Sequence, residues 1–111
     1  MSITIDDVTP AYYAGFFDSE GWVGVEKNCL KVKISNTALD MLQELQSVFG
    51  GHMHRINTKY PGAKECWLWG IESYKALCFL TMLAPYLRIK RAKAQACMEG
   101  ARYATNIVNN N

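Results

Sequence analysis

The stretch AYYAGFFDSEGW, residues 11–22, constrains the fold more than any other part of the chain. Thr9-Pro10 supplies a hydroxyl N-cap followed by proline at the first helical position, and Gly21 is a stop, so the pattern predicts a helix over 10–20. On that helix Ala11, Ala14, Gly15 and Asp18 recur at i, i+3, i+4 and i+7 and share one flat face. Tyr12, Tyr13, Phe16 and Phe17 crowd the other sides. A helix that is apolar or small nearly all round must be buried nearly all round. A chain of 111 residues builds one core, burying roughly two-thirds of its unfolded surface, and one core covers one side. The small strip therefore needs a second partner. Another helix of the same chain would serve, and so would a second copy, since a self-complementary strip suits a two-fold contact. Patterning alone weighs these equally. The acids favour the second copy: two such helices crossing near their C-terminal ends would bring two Glu20 carboxylates together at the negative ends of both dipoles. That arrangement costs free energy unless a cation lies between them.

The rest of the chain reads as alternating hairpins and helices. From Trp22 the period becomes two, with Val23 and Val25 and then Leu30, Val32 and Ile34 on one face, giving two strands joined at EKNC. Thr37-Ala-Leu-Asp40 is a capping-box-like opening for a second helix whose stripe, Leu39, Leu42, Leu45 and Phe49, ends at Gly50-Gly51. A second hairpin turns at Tyr60-Pro61-Gly62 and returns through CWLWGI. Ser73 is placed to cap a third helix that Pro85 must stop, and a last helix runs to about residue 105. The expected class is α+β: a four-stranded antiparallel sheet with helices covering one face. A single domain spans 1–111, its core about 9–105, with a short N-terminal arm and an Asn-rich tail.

Composition narrows the function classes. Hydrophobic residues make up 50% and charged residues 20%, which excludes disordered and fibrous chains. The net charge of +2 is far below what announces a nucleic-acid binder unaided. The positive charge is clustered, in Lys27 to Lys33 and in RIKRAK, Arg88 to Lys93. Cys29, Cys66, Cys78 and Cys97 form no C-x-x-C, so zinc is not expected. No secretory signal and no membrane-spanning run is present, and the thiols read as reduced and intracellular. Carboxylates gathered around a divalent metal are what phosphodiester hydrolysis uses, which makes Glu20 a candidate ligand. Exposed acids at a helix end are nevertheless common without any metal.

YAGFFDSEG, Tyr13 to Gly21, resembles the nine-residue motif that names the LAGLIDADG homing endonucleases. Tyr13 stands for the first leucine, Phe16 and Phe17 for the aliphatic pair, Ser19 for the second alanine and Glu20 for the metal-binding acid. The αββαββα order is similar to the family domain, and FLTMLAPYLRIKRAKAQ resembles its typical ending, so the likeness runs over roughly residues 9–100. The resemblance implies a saddle-shaped sheet over the DNA major groove and a homodimer cutting a pseudo-palindromic duplex, joined through Ala11, Ala14, Gly15 and Asp18. It implies Mg²⁺, with Mn²⁺ or Ca²⁺ able to substitute in binding, held by Glu20 and the Ser19 carbonyl, with Asp18 secondary and mainly structural. It assigns Lys90 to the active site and Asn36 to positioning water. A homodimer doubles the net charge of +2 to +4.

The alternation nominates Glu26, Asn28, Lys31, Lys33 and Ser35 from the first hairpin, and His52, His54, Arg55 and Asn57 from the second, to face the duplex. Arg88, Arg91 and Lys93 would meet phosphates or solvent. Each has a plainer reading. Lys31 and Lys33 fit a solvated sheet face; His52 and His54 share a side as a conceivable metal pair, yet lack a third ligand nearby. Trp67 and Trp69 share a face and read as core, with stacking on an exposed patch the alternative. The whole chain also admits two other functions on the same fold: a non-cleaving nucleic-acid binder, such as an intron RNA maturase or DNA-binding regulator, or an inert domain whose motif only dimerises.

Overall fold

The computed structural model describes the backbone of residues 5–56 and 61–109 and the side chains of 9–56 and 61–101. The first helix, α1, runs Ile5–Glu20 with Pro10 inside it, so it begins earlier than the Thr9-Pro10 signal predicts. Proline forfeits a single backbone bond to the helix's opening turn, which a helix anchored further on can absorb. The two strands that follow, β1 (Gly21–Glu26) and β2 (Cys29–Asn36), are joined by Lys27 and Asn28 at φ 53 and 62. Two consecutive left-handed residues make the hairpin turn whose twist matches that of the strands.

Helix α2 (Leu39–Phe49) has no side-chain cap bond, so the expected Thr37/Asp40 box does not form. Asn36 Oδ1 takes the Ala38 N–H instead, at 2.8 Å. The helix ends where predicted, with Gly50 and Gly51 at φ 77 and 96. Strands β3 (His52–Ile56) and β4 (Cys66–Glu72) follow, then α3 (Ser73–Leu83). Ser73 does not cap α3; it sits at φ 58 with its hydroxyl 3.1 Å from Cys29 Sγ. A single 3-10 turn, Ala84–Tyr86, carries Pro85 and leads into α4 (Arg91–Asn109). The Tyr60 half of the expected turn lies outside the described residues.

The sheet order is β1-β2-β4-β3 with every pairing antiparallel. Its inward face carries Val23, Leu30, Val32, Ile34, Trp69 and Ile71, and all four helices add buried residues to that one cluster. Phe79 of α3 is its hub, edge-on to Phe17 at 5.4 Å and to Phe49 at 4.8 Å, and 5.5 Å from the Trp69 ring. The one polar atom of Trp69 is satisfied, its Nε1 donating to the Gly50 carbonyl at 2.9 Å. Trp69 thus belongs to the core and Trp67 packs against it, as their shared parity predicts. Among the described residues no helix is long and apolar enough to cross a membrane.

Candidate active site and nucleic-acid interface

The two acids at the end of α1 point to different worlds. Asp18 is buried and accepts three backbone N–H groups from the segment entering α4: Arg88 at 2.6 Å and Ile89 at 3.2 Å on Oδ2, Lys90 at 3.0 Å on Oδ1. Burial pushes its pKa up, but the N–H groups of Arg88, Lys90 and Ile89, with the Lys90 charge nearby, outweigh that and hold it below the ordinary 3.8. Both carboxylate oxygens are committed inside the chain. Asp18 is therefore a clasp between α1 and the start of α4, the mainly structural role expected of it.

Glu20, two residues on, is exposed, and nothing among the described residues bonds to or pairs with it. Ser19 turns its hydroxyl back to the Phe16 carbonyl at 3.2 Å, while its own carbonyl lies in the last turn, where helical partners run out. Lys90 is brought to the same end of α1: its Nζ donates to the Asp18 carbonyl at 2.6 Å. Asn36 is at the end of β2, and its oxygen is spent on the α2 turn. No cluster of three or more His, Cys, Asp or Glu occurs among the described residues. One free carboxylate and one carbonyl are hard oxygen donors of the kind Mg²⁺ or Ca²⁺ takes, but each cation needs about six or more. A single chain supplies part of such a site.

The small strip of α1 is only partly covered. Ala14 is fully buried in the chain's own core, which removes it from the interface expected for it. Ala11 and Gly15 stay exposed, and a Cβ added at Gly15 would meet nothing within 4 Å. They line a groove of about 420 Å³ with Asp18, Pro85, Tyr86, Arg88 and Arg91. Arg91 is steadied by its Nη2 bond to the Pro85 carbonyl, 3.1 Å. Large apolar groups stand exposed in the same segments, Tyr12 at 60% and Ile89 at 77%. Of the four rings on α1, then, Tyr13 and Phe17 fill the core while Tyr12 faces out.

The outward face of the sheet follows from register. One row across all four strands reads Trp22, Lys33, Gly70, His52, and the next reads Gly24, Lys31, Glu72. Ser35, Leu68 and His54 form a third. Asn28 is in the hairpin turn. Arg55 follows His54 directly and so has the opposite parity, opposite Trp67 in the register; its side chain stays exposed and reaches Glu65 at 3.1 Å, so it does not join the histidine row. Asn57 lies outside the described residues. His52 and His54 are exposed and lie nearly parallel, centroids 6.4 Å apart. The charges largely cancel: Lys31 pairs with Glu26 at 3.7 Å and Glu72 at 3.8 Å, and Lys33 with Glu26 at 3.5 Å. Sequence reasoning missed Glu72 and Trp22 here, although strict alternation places both outward.

No protein-family model matches this sequence, and neither does any curated protein. Solved structures do match. The homing endonuclease I-CvuI, in complex with a DNA target in the presence of magnesium and with the DNA not cleaved, superposes at a TM-score of 0.68 over 87% of this chain and 68% of its own, at 20% identity. With its own target and calcium the same enzyme gives 0.70 at 19% identity over 87% and 68%. The fold is that of the homing endonucleases. An archaeal intron-encoded homing endonuclease, I-Vdi141I, complexed with DNA, shares it at a TM-score of 0.66 and 16% identity over 91% of this chain and 71% of its own. The homing-endonuclease fold puts α1, with YAGFFDSEG at its end, beneath the sheet whose outward rows are described above.

Proposed function

We propose that this chain is a LAGLIDADG-type, divalent-metal-dependent endonuclease that acts on duplex DNA as a homodimer. One observation carries the reading: within a fold shared by DNA-bound endonucleases, α1 ends in a carboxylate, Glu20, with no partner among the described residues, and an ammonium, Lys90, is fixed on the same helix end. The exposed Ala11 and Gly15 support a two-fold crossing of α1, since a backbone can approach where no Cβ intervenes. Such a crossing would complete an oxygen site that one chain leaves short.

In that dimer Glu20 and the Ser19 carbonyl would hold Mg²⁺. When bound, the cation supplies an activated water and neutralises charge on the phosphate oxygens. Lys90 keeps two N–H donors beyond its bond to the Asp18 carbonyl and would steady the phosphate's developing charge. The Asp18 clasp fixes where Lys90 begins its reach. The outward rows of β1 to β4 would lie along the duplex, with Lys31, Lys33, Ser35, His52 and His54 toward it.

The test is incubation with Mg²⁺ and a randomised duplex library, followed by sequencing of the ends. Discrete cuts are expected, and Glu20→Gln should abolish them while binding persists. Binding without cuts at any divalent metal would instead make the chain a non-cleaving binder on this fold.

A further inference from the structure

Trp22 stands two residues beyond Glu20 on the outward side of β1 and is 38% exposed. Lysines from two other elements converge on it. Lys33 Nζ of β2 lies 5.1 Å from the ring centroid and Lys93 Nζ of α4 lies 5.6 Å from it. The ring lies along its own strand: a Cβ at Gly24, the next outward position, would come within 2.5 Å of the indole carbons. A glycine at 24 is what lets the indole lie down in reach of both ammonium groups.

The physical effect differs from that of an ion pair. An aromatic face attracts an ammonium and restrains its long side chain, yet leaves its charge and its N–H donors available to a third group. Lys31 is held between two carboxylates, whereas Lys93 has no acidic partner among the described residues and Lys33 has only Glu26, at 3.5 Å. The face therefore has a neutralised interior and, beside Trp22, two restrained cations: Lys93, with no acidic partner among the described residues, and Lys33, which shares the single Glu26 carboxylate with Lys31.

We infer that Trp22 is a positioning residue that presents Lys33 and Lys93 to backbone phosphates of a nucleic acid, next to the phosphate Glu20 would serve. The inference rests on the nucleic-acid reading above. Its ligand is the phosphodiester backbone, so the contribution is independent of base sequence and sensitive to salt.

The test titrates the full chain, without divalent metal, against a fluorescently labelled duplex of random sequence across about 50–200 mM salt. Trp22→Leu is expected to weaken low-salt affinity about fivefold, and Trp22→Phe to recover most of it, because a ring survives. Gly24→Ala, which keeps the indole but displaces it, should behave like Trp22→Leu. The deciding comparison is Lys93→Gln, which should cost much less affinity in the Trp22→Leu background than in the wild type. An equal cost in both backgrounds, or Trp22→Leu binding like wild type, overturns the inference and leaves the nucleic-acid reading standing. A wild-type chain that binds no duplex overturns both.

Discussion

Replacing Asp18 by Asn tests whether the clasp holds the two ends of the fold together. The carboxylate accepts three backbone N–H groups through two oxygens, and an amide has only one oxygen. Its best orientation keeps that oxygen on Arg88 and Ile89 and turns an NH₂ toward the Lys90 N–H. One buried donor then loses its partner, at about 1–3 kcal/mol, and two charge-assisted bonds become neutral ones, at about 1 kcal/mol each. Relief of carboxylate desolvation offsets part of this, leaving a net loss of about 3 kcal/mol. In urea at pH 7 and fixed protein concentration, the midpoint should fall by about 1–2 M. The pH dependence carries a second signature. The Asp18 pKa is lowered in the folded chain, so its contribution is present above the unfolded value of 3.8 and is lost as pH falls through the folded one. The wild type's advantage over Asp18→Asn should thus be constant near neutrality and shrink as the solution is acidified below about pH 4. A midpoint unchanged at pH 7, or a gap that persists undiminished under acid conditions, would refute the clasp.

Three further outcomes are expected. Gly15→Leu should leave a folded monomer, since a Cβ there meets nothing within 4 Å, and sedimentation should show dimer lost while the far-ultraviolet circular dichroism spectrum stays folded; an intact dimer would remove α1 as the crossing. Gly51→Ala should cost about 3 kcal/mol or more in chemical denaturation, because Gly51 sits at φ +96 and its new methyl would fall on the Gly70 carbonyl and the Ile71 side chain. Tyr13, pushed up to about 12 by burial and by its bond to Glu44, should stay un-ionised well above pH 10; wild-type stability should fall between pH 10 and 12 more steeply than that of Tyr13→Phe, as monitored by circular dichroism.

Much of the architecture was legible because turn chemistry and periodicity agreed. Gly50-Gly51, Pro61-Gly62 and Pro85 punctuate the chain where the elements break. The errors fall where a local signal met a tertiary alternative. Thr9-Pro10, Thr37 and Ser73 all look like helix openings, yet α1 starts earlier, Asn36 takes over at α2, and Ser73 turns to Cys29. The strip on α1 was visible, but which of its members the core would claim was not, because Ala14 and Gly15 differ by only one step around the helix. Arg55 was grouped with His52 and His54 although, following His54 directly, it has the opposite parity. The division of labour between Asp18 and Glu20 could not be read at all, since Asp18's partners lie about seventy residues away.

On the DNA-binding function proposed above, the ion pairs on the outward sheet face bear on how the protein would search a genome. Lysines already engaged by Glu26 and Glu72 must leave those carboxylates before they can displace counterions from a duplex, so a mismatched stretch gains little by holding them. Residence on wrong sequences would be short and sliding brief, with the protein hopping between sites and lingering only where base contacts repay the exchange. The same self-compensation that keeps the chain's net charge low would thereby trade speed of search for economy of error.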